Sequence, residues 1–205
     1  KLTDIKTKDN QVVSIEVNNE SEISCSVLVL AIGHSARDTF HLLSKKGMMI
    51  SSKPFAVGLR VQHSQKMINE SQYGKKYANI LPNASYKLTY QTSKNRGVYS
   101  FCMCPGGYVV NASSEEGKLV VNGMSDYKRD TESANSAIVV TVGPKDFGDD
   151  PLDGVEYQRK LEEAAFSVGE GRIPVQLYSD FKAGKNTFQI GRVNPTIKGD
   201  YKVCN

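Results

Sequence analysis

Residues 26–40 read SVLVLAIGHSARDTF, and the fold reading starts from them. Val27 to Ile32 is an unbroken apolar run, the pattern of a strand covered on both faces in a mostly parallel sheet flanked by helices. Gly33 ends the run. Ser35 then stands at a helix N-cap position, and Asp38 three residues on puts a carboxylate in the first turn, where the helix dipole favours it. Strand, glycine turn and helix start therefore follow directly on one another. Open α/β sheets bind ligands beyond the carboxyl ends of such strands, and unpaired N–H groups at the next helix suit anions. The turn is a site candidate, and a connection that binds nothing is the competing reading.

Toward the N-terminus, Leu2–Lys8 and Gln11–Val17 alternate apolar and polar residues around Asp9-Asn10, which predicts a hairpin whose turn residues tolerate positive φ. A second turn at Asn18-Asn19-Glu20 leads into a third strand over 22–32, so the apolar run closes a three-strand meander. A helix over 36–46 follows, with Phe40, Leu42 and Leu43 as its apolar contacts and Gly47 at its end.

Downstream the pattern changes. Phe55, Val57, Leu59 and Val61 alternate with Ala56, Gly58, Arg60 and Gln62, a half-buried strand entered through Pro54. A short helix over 64–72 stops at Gly74. Strands over 86–91, 98–104, 108–112, 118–124 and 136–142, joined by turn-rich links, predict an antiparallel sheet. A polar linker over 144–153 precedes a helix running to Val168, with Asp153 and Glu156 as a capping box. Tyr157, Leu161, Ala165 and Val168 make its apolar face, and Arg159, Lys160, Glu162 and Glu163 its solvated face. The tail from Arg172 reads as loop with a short helix. The fold class is α+β, with a boundary near residue 47 between a small N-terminal part, 1–47, and an antiparallel-sheet domain, 48–205.

Composition narrows the function classes. The 205 residues carry a net charge of only +4, with the basic residues dispersed, so nothing points to nucleic acid. Cys25, Cys102, Cys104 and Cys204 show no CxxC and no zinc-type histidine spacing, which favours reduced thiols in a cytoplasmic protein and no metal site. No run has the length of a membrane span, and the start lacks signal-peptide order. Without such a signal, the N-x-Ser sequons at Asn19, Asn69, Asn83 and Asn111 carry little meaning. The chain opens at Lys1 directly into a strand and ends in GDYKVCN, so the expectation is a central piece of a longer protein. The residues set no oligomeric state.

The second concentrated signal is residues 99–125, YSFCMCPGGYVVNASSEEGKLVVNGMS. Strand alternation puts Ser100, Cys102 and Cys104 on one face, with Cys104 at the edge of a Pro105-Gly106-Gly107 turn. Two glycines there either permit positive φ or let a flat ligand approach the backbone; a plain hairpin turn is the alternative. A nucleophilic cysteine needs a base, and only His34, His41 and His63 exist, so buried structural thiols are favoured. His34, at the mouth of the βα turn, and His63, at a strand end, read as surface or satisfied polar residues before acid–base groups. Asn122 and Ser125, at the end of a strand, either face a pocket or open a turn. Arg37 opposes the dipole of its own helix, so an anionic group holds it, either a ligand or a local aspartate.

The GHSARDT segment resembles the (A/T)xG strand-end motif of two-dinucleotide-binding-type flavoproteins, specifically the bacterial FAD-dependent, or NAD(FAD)-utilising, dehydrogenases. The likeness continues through PFAVGLRVQH, GVYSFCMCPGGYVVNASSEEGKLVVNGMS and ANSAIVVTV to IPVQLYSDF. It implies a Rossmann-like FAD-binding domain, of which 1–47 is a remnant, interrupted by a substrate domain that covers the flavin. By that resemblance Ile32, Gly33, His34, Ser35 and Arg37 lie near the cofactor, and Cys104, Gly106, Gly107, Asn122 and Ser125 face the substrate. No catalytic residue is implied. The family's GxGxxG turn and its C-terminal FAD segment are absent, so this portion alone is expected to hold FAD weakly and to be inactive. FAD is the implied cofactor, NAD(P)H a candidate electron donor, and a small molecule the substrate. A non-catalytic ligand-binding or interaction module is the rival reading.

Overall fold

The computed structural model describes residues 1–192 and 195–204. Its elements in chain order are β1 (Leu2–Lys8), β2 (Gln11–Val17), β3 (Ser21–Ser24), α1 (Arg37–Lys45), β4 (Phe55–Ser64), α2 (Gln65–Tyr73), β5 (Thr89–Gln91), β6 (Gly97–Cys104), β7 (Gly107–Asn111), β8 (Val121–Ser125), β9 (Ser133–Val142), α3 (Pro144–Phe147), α4 (Asp153–Gly169), β10 (Ile173–Val175), α5 (Tyr178–Ala183), β11 (Ile197–Lys198) and β12 (Tyr201–Val203). The chain is α+β with mainly antiparallel sheets.

Asp9 and Asn10 take φ of 51° and 62°, and Asn18 and Asn19 take 58° and 55°. Short polar side chains tolerate that region, and both turns close as expected to give the sheet β1-β2-β3. The third strand is much shorter than its sequence pattern. It stops at Ser24, and 27–32 has no ladder partner among the described residues; Val27 is 77% and Val29 81% exposed. An apolar run becomes a strand only where a neighbour supplies matching N–H and C=O groups, and no described strand does so. The Rossmann-type strand is therefore not formed here. Ser35 does not cap α1 either: the N-cap is Ala36, with no side-chain cap, and the Ser35 hydroxyl lies 3.0 Å from His34 Nδ1.

The antiparallel region is two sheets, not one. A four-stranded sheet has the order β4-β9-β6-β5, and a three-stranded sheet the order β11-β7-β8, with β11 parallel to β7. The ladder from Phe55↔Val142 to Ser64↔Ser133 pairs β4 with β9 along their whole length. The Pro105-Gly106-Gly107 link is no hairpin. It carries the chain from β6 in the first sheet to β7 in the second, and the two strands do not pair. A bulge between Phe101 and Cys104 places Cys102 at φ 45°, which breaks the expected alternation. Ser100 is buried while Cys102 is exposed.

Helix α4 departs in part from the expected orientation: Lys160 and Glu163 are exposed as expected, but four other positions are exchanged. Leu161 and Val168 are 46% and 47% exposed, whereas the supposedly solvated Arg159 and Glu162 keep only 23% and 13% of their side chains exposed. Buried Arg37 is the cause. Its Nη1 donates to Glu115 at 2.8 Å and Glu162 at 3.0 Å, and its Nη2 to Gln158 at 3.0 Å and Glu162 at 2.7 Å. Arg159 donates in turn to Glu115 at 2.8 and 3.1 Å. The anionic partners required for Arg37 are thus distant glutamates and no local aspartate. A buried guanidinium left unpaired is very costly, so these pairs dictate which face of α4 turns inward. Of the apolar face, Tyr157 does pack inward, its ring centroid 6.2 Å from Phe55, which also stacks on Phe147 at 5.2 Å. Phe147 belongs to α3, a short helix within the supposed linker. The Asp153/Glu156 capping box does not form: Leu152 is the N-cap, and the Asp153 carboxylate accepts the Asp150 N–H instead.

Among the described residues no helix is long and apolar enough to cross a membrane. Arg159, then Arg37, holds the Glu115 carboxyl down at about 2 from a reference of 4.5. A depressed carboxyl contributes stability above its unfolded pKa and loses that contribution as pH falls through the folded value. Thermal melts should therefore show acid destabilisation between pH 4.5 and about 2 that is weaker in Glu115→Gln. Arg37→Ala should cost about 3–5 kcal/mol at neutral pH, measured by urea unfolding.

Candidate functional site

The corner between the two sheets is seated on buried amides. Gln65 opens α2 and accepts the Gly106 N–H through Oε1 at 2.8 Å, while its Nε2 donates to Asn69 Oδ1 at 2.8 Å and the Ala84 carbonyl at 2.9 Å. Asn69 Nδ2 donates to the Ala78 carbonyl and to Asn83 Oδ1. Gln65 and Asn69 are 3% and 7% exposed. Each partner satisfies another in low dielectric, which fixes the corner. Gly106 has φ 50°, and a Cβ there would lie 1.9 Å from the Arg129 carbonyl oxygen, so only glycine fits.

Past this corner, Gly107 and Ser125 lie against Cys104, and Cys104 and Gly123 lie against Arg60. Ser125 Oγ donates to the Pro105 carbonyl at 2.8 Å. A Cβ on Gly107 would lie 2.8 Å from Ser125 Oγ and 3.0 Å from Cys104 Cβ; one on Gly123 would lie 2.3 Å from Arg60 Nη1, 2.3 Å from Asn135 Oδ1 and 2.8 Å from Cys104 Sγ. Arg60 rises from the middle of β4 and ties three strands: Nη1 donates to the Cys102 carbonyl at 3.1 Å and to Asn135 Oδ1 at 2.7 Å, and Nη2 to Asn122 Oδ1 at 3.2 Å. The structure therefore gathers all five substrate-face candidates, Cys104, Gly106, Gly107, Asn122 and Ser125, along one seam.

The electrostatics of the seam follow from burial. Desolvation lowers the Arg60 pKa from its ordinary value and pushes the Cys104 thiol up, against the opposing pull of Arg60. His63 Nε2 lies 2.8 Å from the Tyr86 hydroxyl, with the imidazole pKa lowered and the phenol pKa raised by burial. No group of three or more His, Cys, Asp or Glu residues able to hold a metal occurs among the described residues.

The cofactor candidates lie elsewhere. Ile32, Gly33, His34 and Ser35 are exposed, with Gly33 at φ 69° and nothing within 4 Å of where its Cβ would sit. A flat ligand could approach that turn. All four Nη hydrogens of Arg37 are taken by Glu115, Glu162 and Gln158, and its Nε, which has no partner, is buried away from solvent. No hydrogen bond joins the turn to the Arg60 seam among the described residues.

Sequence reasoning passed over Arg60, Asn135, Gln65 and Asn69. Arg60 sat on the polar phase of an alternating strand, where a solvated charge is the default. Asn135, read as the end of a turn-rich link, is fully buried within β9, and Asn69 was noticed only as a sequon. The available signal was the i, i+4 pair of amides Gln65 and Asn69 facing a further amide, Asn83.

An α+β unit of antiparallel sheets with few helices is consistent with a substrate-type domain. The chain belongs to the family described as FAD-dependent protein, C-terminal domain-like, whose pattern matches residues 54–205. A protein of Clostridium beijerinckii (strain ATCC 51743 / NCIMB 8052), described as an uncharacterized protein, is 50% identical over 207 residues. The match covers 98% of this chain and 39% of that relative, so the chain spans well under half of the relative's length.

Two outcomes test the seam. Gly123→Ala should destabilise by about 1–3 kcal/mol in urea unfolding, because the added methyl displaces the Arg60 guanidinium. Cys104 should react with iodoacetamide more slowly than an unstructured thiol at the same pH, with a rate midpoint above the ordinary thiol value, as followed by peptide mass spectrometry.

Proposed function

We propose that the chain is the central portion of a cytoplasmic FAD-dependent oxidoreductase, with residues 48–205 forming the domain that covers the flavin and receives a small-molecule substrate. The family match over 54–205 carries the reading. Its support from geometry is the seam: two sheets meet at a corner where Cys104 and Asn122 contact a half-buried cation and Gly107 and Ser125 lie beside Cys104. In this reading FAD carries the hydride or electrons, NAD(P)H is a candidate donor, and the protein supplies orientation and electrostatics. The open turn Ile32, Gly33, His34 and Ser35 fits contact with the cofactor. Arg37 acts differently, as the ionic anchor that holds α1 against α4 behind that turn.

Residues 1–47 then contribute to an FAD-binding domain completed by other parts of the parent protein, with 27–32 as a strand of its sheet. The exposed apolar side chains of Val27 and Val29 support this. The full-length parent, purified and scanned in the visible range, should show oxidised-flavin absorption that bleaches on addition of NAD(P)H or dithionite. A colourless parent that takes up no added FAD would overturn the reading.

A further inference from the structure

Half-buried Arg60 differs from buried Arg37 in what compensates it. Arg37 meets two carboxylates. Arg60 forms no ion pair among the described residues, and all its acceptors are neutral: a carbonyl and two amide oxygens. A half-buried cation pays for desolvation without Coulombic return unless an anion is supplied.

Donors also outnumber acceptors around it. Of the five N–H bonds of a guanidinium, three of Arg60's have acceptors. Its Nε has none, and the guanidinium's further side-chain contact is to the Cys104 thiol, a weak acceptor. Asn135, with no solvent exposure, has an Nδ2 that likewise has no partner, while its Oδ1 is taken by Arg60. Buried polar groups are ordinarily satisfied, so two neighbouring side chains with orphaned donors mark a place lacking an acceptor. The approach is from the Nη2 side, where Asn122 and Cys102 are exposed and the Asn122 contact, at 3.2 Å, is the longest of the three.

We infer that the Arg60–Asn122–Asn135 cluster is an anion subsite that takes a carboxylate. Planar two-oxygen acceptors match the guanidinium fork, with one oxygen on Nη2 and Nε brought into reach by a small shift of the side chains that shield it. This deepens the proposed function, since it makes the substrate of the flavin-covering domain a carboxylic acid, but it stands on the cluster alone.

The test uses the 205-residue chain without flavin, so its failure is separable from that of the flavin reading. Amide NMR spectra are recorded during titration with benzoate, with benzamide as neutral isostere and inorganic phosphate as the rival anion. Benzoate should give saturable shifts at Cys102, Asn122, Gly123 and Asn135, with half-saturation in the millimolar range, and benzamide and phosphate should give markedly weaker ones. Arg60→Lys, which keeps the charge but not the fork, should weaken benzoate binding roughly tenfold. Equal shifts with benzamide, tighter binding of phosphate, or no saturable shift at the cluster would each overturn the inference. These wild-type outcomes do not depend on any variant folding.

Discussion

The guanidinium of Arg60 ties the two sheets to one another at their junction. It leaves β4 and donates to the backbone of β6, a side chain of β9 and a side chain of β8. Such a bridge is possible only because Gly123 leaves room for it; any Cβ there would collide with Nη1. The whole corner from Cys104 to Gly107 is built to the same tolerance, with Gly106 pinned by Gln65 and pressed against the Arg129 carbonyl. Rigid support of this kind is what a ligand-facing surface needs, since positioning is lost when the elements behind it move.

The second organising interaction is the Arg37 network. It joins α1 to α4 and to the Glu115 loop, and its cost of desolvation is offset by two carboxylates and a glutamine amide. It also explains why α4 turns a charged face inward and leaves Leu161 and Val168 in solvent. The two arginines thus divide the labour: one is paired with carboxylates and anchors, the other meets only neutral acceptors and stands at the candidate site.

Much of the local structure was legible in the residues. The Asp9-Asn10 hairpin, the alternating strand through Phe55–Ser64, the stop at Gly74 and most strands of the antiparallel region follow from period-two patterning and turn chemistry, which act within a few residues. The flavoprotein resemblance is supported by the family match at the level of FAD dependence. What misled was pattern without partner. Residues 27–32 have the composition of a buried strand, yet a ladder needs a neighbour. Asp153 and Glu156 have capping-box spacing, yet the Asp153 carboxylate was drawn to the Asp150 N–H.

The sequence by itself determined where strands, turns and helices could form, because backbone sterics and side-chain periodicity are local. Only the tertiary structure decided which strands share a sheet, which face of α4 is inside, and that Arg60 rather than any residue of the Pro105-Gly106-Gly107 turn is the centre of the seam. Those choices depend on pairing between residues far apart in the chain, such as Arg37 with Glu162 and Arg60 with Asn135. Long-range compensation of buried charge leaves no periodic trace along the sequence.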